Sequence, residues 1–162
     1  MRYVRMIGAD PLDDPDTRLL KVLLVGTTLM ILPAAVLWGF LYVVFGEPRA
    51  GLIPWSYAIL SAGSLVVLQV TRRLHWVANF QFLIILLIPA ALMLALGGFV
   101  ASSGAILWSA LAPLGSIAFE SPRRAIGWFV AFLGVLVGAA LVGADLRTVN
   151  ALPSAVVLLL FV

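Results

Sequence analysis

The chain has no cysteine, a single histidine and little charge of either sign, with charged residues making up 10% of its 162 positions. The lack of cysteine excludes disulfides, thiolate metal sites, iron–sulfur clusters and cysteine nucleophiles. His75 sits between Arg72-Arg73 and Trp76, and no second ligand stands beside it in sequence to complete a metal set. With one histidine there is also no credible base to activate a serine. Asp10, Asp13, Asp14 and Asp16 crowd the N-terminal region, but they lack the glycine and closing glutamate of an EF-hand loop and read as a solvated, helix-starting segment. No catalytic residue, cofactor-binding residue or metal ligand is expected. Between Val77 and Phe119 there is not one Asp, Glu, Lys or Arg. Ionisable groups deep in a span mark pumps, voltage sensors and most ion-coupled transporters, so their scarcity argues against ion or proton transport.

What is present is apolar: 64% of residues are hydrophobic, against about 45–50% in soluble domains. A bilayer is the solvent that such a surface fits. Lipid offers no partner to backbone N–H and C=O groups, so the spanning elements are helices or a closed barrel. Long unbroken apolar runs select helices. The N-terminus is no secretory signal, because residues 1–21 hold four aspartates and the first apolar run exceeds the roughly 7–15 residues of a signal core. The expected fold is an all-α, polytopic transmembrane bundle. A polar cytoplasmic leader, 1–21, precedes a membrane module, 22–162, whose spans fall at about 22–45, 52–70, 77–96, 105–119 and 125–144, with 152–162 opening an incomplete sixth. Asp14-Pro15 is a helix-start pair, an N-cap with proline at the first helical position. The span 105–119 is short and contains Pro113.

Counting basic residues by loop gives an orientation. Eight Lys and Arg fall in the leader and in the loops holding Arg72, Arg73, Arg123 and Arg124, against two, Arg49 and Arg147, in the alternate loops. The positive-inside rule then puts the N-terminus and those four arginines in the cytoplasm of a multi-pass inner or plasma membrane protein. The net charge of +3 serves that purpose and is no nucleic-acid signal.

Two patterns stand out. Gly97, Gly98, Ser102, Ser103, Gly104, Trp108, Ser109 and Pro113 read either as a pocket for a small apolar or amphipathic ligand or as a tight helical hairpin with serine-capped backbone groups. Gly127, Ala131, Gly134 and Gly138 share a helical face on which small residues permit close helix packing, within the chain or across a homodimer. Gln69, Asn79 and Gln81 read as interhelical or interfacial hydrogen-bonding groups.

The run from Gly97 to Ser109, followed by Leu111-Ala112-Pro113-Leu114-Gly115, resembles the N-terminal membrane region of bacterial adenylate/guanylate cyclase domain proteins. Phe45-Gly46-Glu47-Pro48, Pro122-Arg123-Arg124-Ala125 with Trp128-Phe129, and Asn150 with Leu152-Pro153 add weaker matches. The resemblance implies a six-helix module ahead of a cytoplasmic class III cyclase domain, truncated here before that domain, so no active-site residue carries over. The expectation is a membrane anchor or sensor that positions a signalling domain absent from this chain. Its expected partners are the lipid bilayer, a second copy through the small-residue face and an apolar ligand, with no nucleic acid. The alternatives are a small oligomeric transporter or accessory subunit, and an inactive fragment.

Overall fold

The computed structural model describes residues 7, 8, 10, 12–99 and 101–145, the last three by backbone alone, and shows helices with no strand among them. The expected sixth span, 152–162, lies outside the described residues. Four helices are long and apolar enough to cross a membrane, and a shorter apolar stretch, Ala105–Phe119, joins the third to the last.

Helix α1 (Pro15–Val44) starts where its chemistry allows, not where its hydrophobicity begins. The Asp14 carboxylate accepts the Thr17 backbone N–H, and Pro15 occupies the first turn. The helix therefore begins at the expected Asp14-Pro15 pair, ahead of the apolar span that opens at 22, because a capped, proline-primed start needs no lipid. The other helices also outrun their expected spans: α2 is Pro48–Thr71, α3 is Leu74–Ala95 and α5 is Pro122–Asp145. Arg72, in the left-handed conformation at φ 56°, caps α2 and lets α3 begin at once.

Between α3 and α5 the chain forms a 3₁₀ helix, Ala105–Ala110, running into α4, Leu111–Phe119. Six residues at about 2.0 Å and nine at about 1.5 Å reach roughly 25 Å, close to the thickness of a hydrocarbon core. The 3₁₀ winding thus stretches a segment that looked too short. It lies antiparallel to α3: Ala105 packs with Leu92 and Leu96, Ser109 Oγ donates to the Leu86 carbonyl at 2.7 Å, and Glu120 meets Asn79.

α1 and α2 form an antiparallel hairpin whose backbones nearly touch. A Cβ on Gly51 would lie 2.6 Å from the Gly39 carbonyl oxygen, and one on Gly39 would strike the Trp55 indole and lie 2.9 Å from the Gly51 carbonyl oxygen. Trp55 Nε1 closes the crossing by donating to the Val36 carbonyl at 3.1 Å. α2 and α3 are pinned by buried polar groups: Gln81 Nε2 donates to Ser64 Oγ at 2.7 Å, and Ser64 Oγ donates to the Ser61 carbonyl at 2.8 Å. In lipid such bonds secure neighbours that no hydrophobic drive would hold together.

α5 is attached differently. Phe82 of α3 packs edge-on against Phe119 and Trp128 at centroid distances of 5.8 and 5.7 Å, and Ala139 meets Met93 and Ile106 further along. Only 11% of its most apolar window is buried, against 44% for α2 and α3. Its small-residue face is open. Gly127, Ala131, Gly134 and Gly138 are all exposed, and added Cβ atoms at the three glycines would meet nothing within 4 Å. The close-packed glycines are instead Gly39 and Gly51.

The leader, the α2–α3 turn and the α4–α5 turn share one end of the bundle. Gly8 N–H donates to Gln69 Oε1 at 2.6 Å, Arg72 pairs with Asp10 at 3.0 Å, and Glu120 sits between Asn79 and Arg124. Lys21 is buried in α1 and spends its ammonium protons on the Gly8 carbonyl at 2.8 Å and on both Asp13 oxygens at 2.9 and 2.7 Å. Asp10, Asp13 and Asp14 are thereby accounted for by ion pairing and capping.

Lys21→Met should unseat the leader and raise amide exchange at Gly8 on the order of tenfold, the scale of one lost charged hydrogen bond. Unchanged protection at Gly8 would show that the ion pair does not hold it. The Leu12 N–H, and then Arg72, lower the Asp10 carboxyl below its usual 3.8. A lowered folded value means that Asp10's contribution is complete above the usual range and fades as pH falls through the depressed one. Protection at Gly8, taken relative to the rate of an unstructured amide at the same pH, should therefore hold at pH 4 and fall only in stronger acid.

Candidate ligand cavity

Pro33, Pro54 and Pro89 lie inside α1, α2 and α3. Each removes a backbone donor and crowds the preceding turn of its helix. Pro54 and Pro89, but not Pro33, line a cavity of about 340 Å³ that the three helices enclose with the 3₁₀ segment. It lies toward the end of the bundle opposite the basic turns, between the second halves of α1 and α3.

The floor is formed by the buried residues Ala35, Tyr42, Pro54, Tyr57, Leu92 and Ala105. The rim is formed by Met30, 82% exposed on α1, and Trp108, 53% exposed on the 3₁₀ helix. The opening therefore lies sideways between α1 and the 3₁₀ segment, facing what would be lipid. Trp38 and Ile85 line it as well. No charged side chain does. Tyr42 is wholly buried, and its hydroxyl is, among the described residues, the one buried side-chain polar atom without a hydrogen-bond partner. An unpaired buried hydroxyl costs about 1–3 kcal/mol, so it asks for an explanation.

The motif from Gly97 to Pro113 divides between its two readings. Gly97, Gly98 and Gly104 take φ of 88°, 111° and 73°, and Ser103 takes 50°, which builds the tight turn between α3 and the 3₁₀ helix. Ser102 Oγ donates to the Phe99 carbonyl at 3.2 Å, and buried Ser109 ties the 3₁₀ helix to α3. Pro113 is buried in α4 away from the cavity. Of these eight residues only Trp108 reaches the cavity wall. The hairpin is what most of the motif builds.

A second polar constellation forms at the basic end. The Glu120 side chain is 1% exposed and accepts from Asn79 Nδ2 and, at 3.1 Å, from Arg124 Nη1. His75 Nδ1 stands 3.7 Å away, and Trp128 Nε1 donates to Asn79 Oδ1 at 3.2 Å. The sequence places no partner beside His75; folding supplies one from the far side of a long apolar run. No group of three His, Cys, Asp or Glu side chains suited to an ion occurs among the described residues. Arg72, Arg73, Arg123 and Arg124 are exposed at this end.

Sequence reasoning missed the cavity because its walls come from four segments of ordinary hydrophobic composition. The one available signal was the recurrence of proline and aromatic residues at matching depth in successive spans. No family model, curated protein or solved structure matches the chain.

Proposed function

We propose that this chain is a membrane-embedded anchor and sensor module that positions a cytoplasmic signalling domain, as its resemblance to cyclase membrane regions implies. The observation that carries the reading is an apolar cavity that opens sideways, in a bundle whose described interior holds no charged side chain away from its ends. Among its described residues such a bundle offers an ion no charged group between its ends, but it offers a place where a molecule dissolved in the bilayer can favour one helix packing over another.

The finer topology belongs to the same proposal. The basic end faces the cytoplasm, Ala105–Phe119 counts as a crossing, and residues 152–162 open a sixth. Supporting this are the gathering of the leader, the Arg72-Arg73 turn and the Arg123-Arg124 turn at one end and the reach of the 3₁₀–α4 segment along α3. The output is a class III nucleotide cyclase domain on the same or a partner polypeptide. α5, the least buried helix, is the element freest to move and so the natural link to that output.

Two measurements test the proposal. A single cysteine replacing Arg123 in the cysteine-free chain should react with an impermeant reagent only from the cytoplasmic side; labelling from outside alone would overturn the orientation. The complete gene product, expressed in a bacterial host without its own cyclase, should raise cyclic nucleotide levels. No rise, together with solute flux in proteoliposomes above empty vesicles, would turn the assignment to a carrier.

A further inference from the structure

The cavity also states what kind of molecule it would take, on the premise that the module is a sensor. Its volume, 340 Å³, is at the low end of the roughly 300–1,000 Å³ of small-molecule sites. That excludes a whole phospholipid and suits a compact body. Four of its lining side chains, Trp38, Tyr42, Tyr57 and Trp108, are aromatic. Aromatic faces and edges favour a flat conjugated partner over a flexible acyl chain, which would gain no ring geometry and would lose more rotamer freedom.

Charge in the ligand is disfavoured. No lining residue is ionisable in the acid–base range of lipid headgroups, and an unpaired charge in a site this apolar is strongly penalised. The Tyr42 hydroxyl has no partner, but Tyr42 is wholly buried and stands behind the open surface of the cavity, so the wall asks for no hydrogen bond from the ligand. The rim at Met30 and Trp108 is open to the lipid side, so the molecule arrives through the bilayer.

We infer that the cavity binds a compact, neutral, planar conjugated molecule from the lipid phase, such as a quinone. Its ring lies among Trp38, Tyr57 and Trp108, and any hydrocarbon tail leaves between Met30 and Trp108. The contact is binding alone; no electron transfer is required.

The test uses the protein in nanodiscs of saturated phosphatidylcholine, with menadione, a tailless methyl-naphthoquinone, as the probe. Quinones quench indole fluorescence, and two of the five tryptophans, Trp38 and Trp108, line the cavity. Quenching should saturate, and the saturable part should disappear in a Trp38→Phe/Trp108→Phe variant while the other three tryptophans report only linear, collisional loss. Ala34→Phe, placed on the cavity wall, should abolish the saturable phase by filling the space. If that variant proves unstable, the tryptophan double variant still decides.

Linear quenching that is the same in wild type and in the double variant would overturn the inference. So would a saturable shift of the Trp38 and Trp108 emission with oleate and no saturable menadione phase, which would assign the cavity to an acyl chain and leave the sensor reading standing. Saturable quinone binding that never alters cyclic nucleotide output would do the reverse, sinking the sensor role and keeping the site.

Discussion

Gly51→Val is expected to destabilise the bundle by about 2–3 kcal/mol, the upper part of the range for overpacking a tight contact. A real Cβ there would lie 2.6 Å from the Gly39 carbonyl oxygen and 2.9 Å from Val43 Cγ2. The first neighbour is backbone and cannot rotate aside, so α1 and α2 must separate along the crossing. The Trp55–Val36 hydrogen bond is built on that crossing and should be lost with it. Gly51→Ala meets the same oxygen with fewer atoms and should cost about half as much. The control is Gly138→Ala on α5, where nothing lies within 4 Å and the higher helix propensity of alanine, about 1 kcal/mol in an exposed helix, should leave stability unchanged or improved. Unfolding followed by helicity in a dodecyl sulfate titration orders the three. A Gly51 variant as stable as wild type would mean that the two backbones do not meet there. Gly138→Ala as the most damaging would mean that a second copy covers the α5 face.

That contrast also measures what the sequence could reveal. Helix type, the turn at Gly97–Gly104 and the start at Asp14-Pro15 were legible because local chemistry decides them: caps, prolines and runs without charge. Helix pairing was not. Gly127, Gly134 and Gly138 repeat at helical spacing and advertise a contact, whereas Gly39 and Gly51 have no second glycine within four residues and touch only because a short turn folds α2 back on α1. The cavity is invisible for a related reason, since Tyr42, Tyr57, Leu92 and Trp108 belong to four segments and look like ordinary span residues. Gln81 was read as an interhelical hydrogen-bonding group, and its partners prove to be Ser61 and Ser64. Which serines would serve could not be read, because α2 and α3 have no strong amphipathic stripe to fix their rotation. Lipid accepts either face, and the polar side chains choose.

Glu120→Ala should produce the second large effect, a loss of about 2–3 kcal/mol together with freer movement of α5. The carboxylate is 1% exposed and joins three elements: Asn79 of α3, its own turn after α4, and Arg124 of α5. Hydrogen bonds to a charged group are worth about 1.5–3 kcal/mol each, but Arg124 is 68% exposed and regains water when released, which keeps the total near the value of one such bond. Asn79 keeps the His75 carbonyl at 2.7 Å while losing the partner that orients it toward Trp128. The loosening should therefore reach the Phe82–Trp128 contact, the apolar fastening of α5 at this end. Glu120→Gln keeps one oxygen for Asn79 and should recover about half the loss. Arg124→Ala should do less than Glu120→Ala, since the carboxylate still holds Asn79. If Arg124→Ala proves the more damaging, Glu120 is a charge held by arginine and not the post that fixes Asn79. Cysteine accessibility scanned along α5 gives the functional half of the test. A helix with so little of its apolar length buried depends on its two ends, and the signalling reading requires that releasing the basic end change the output. A Glu120→Ala protein that is less stable, yet has an α5 labelling pattern identical to wild type, would take away α5 as the moving part.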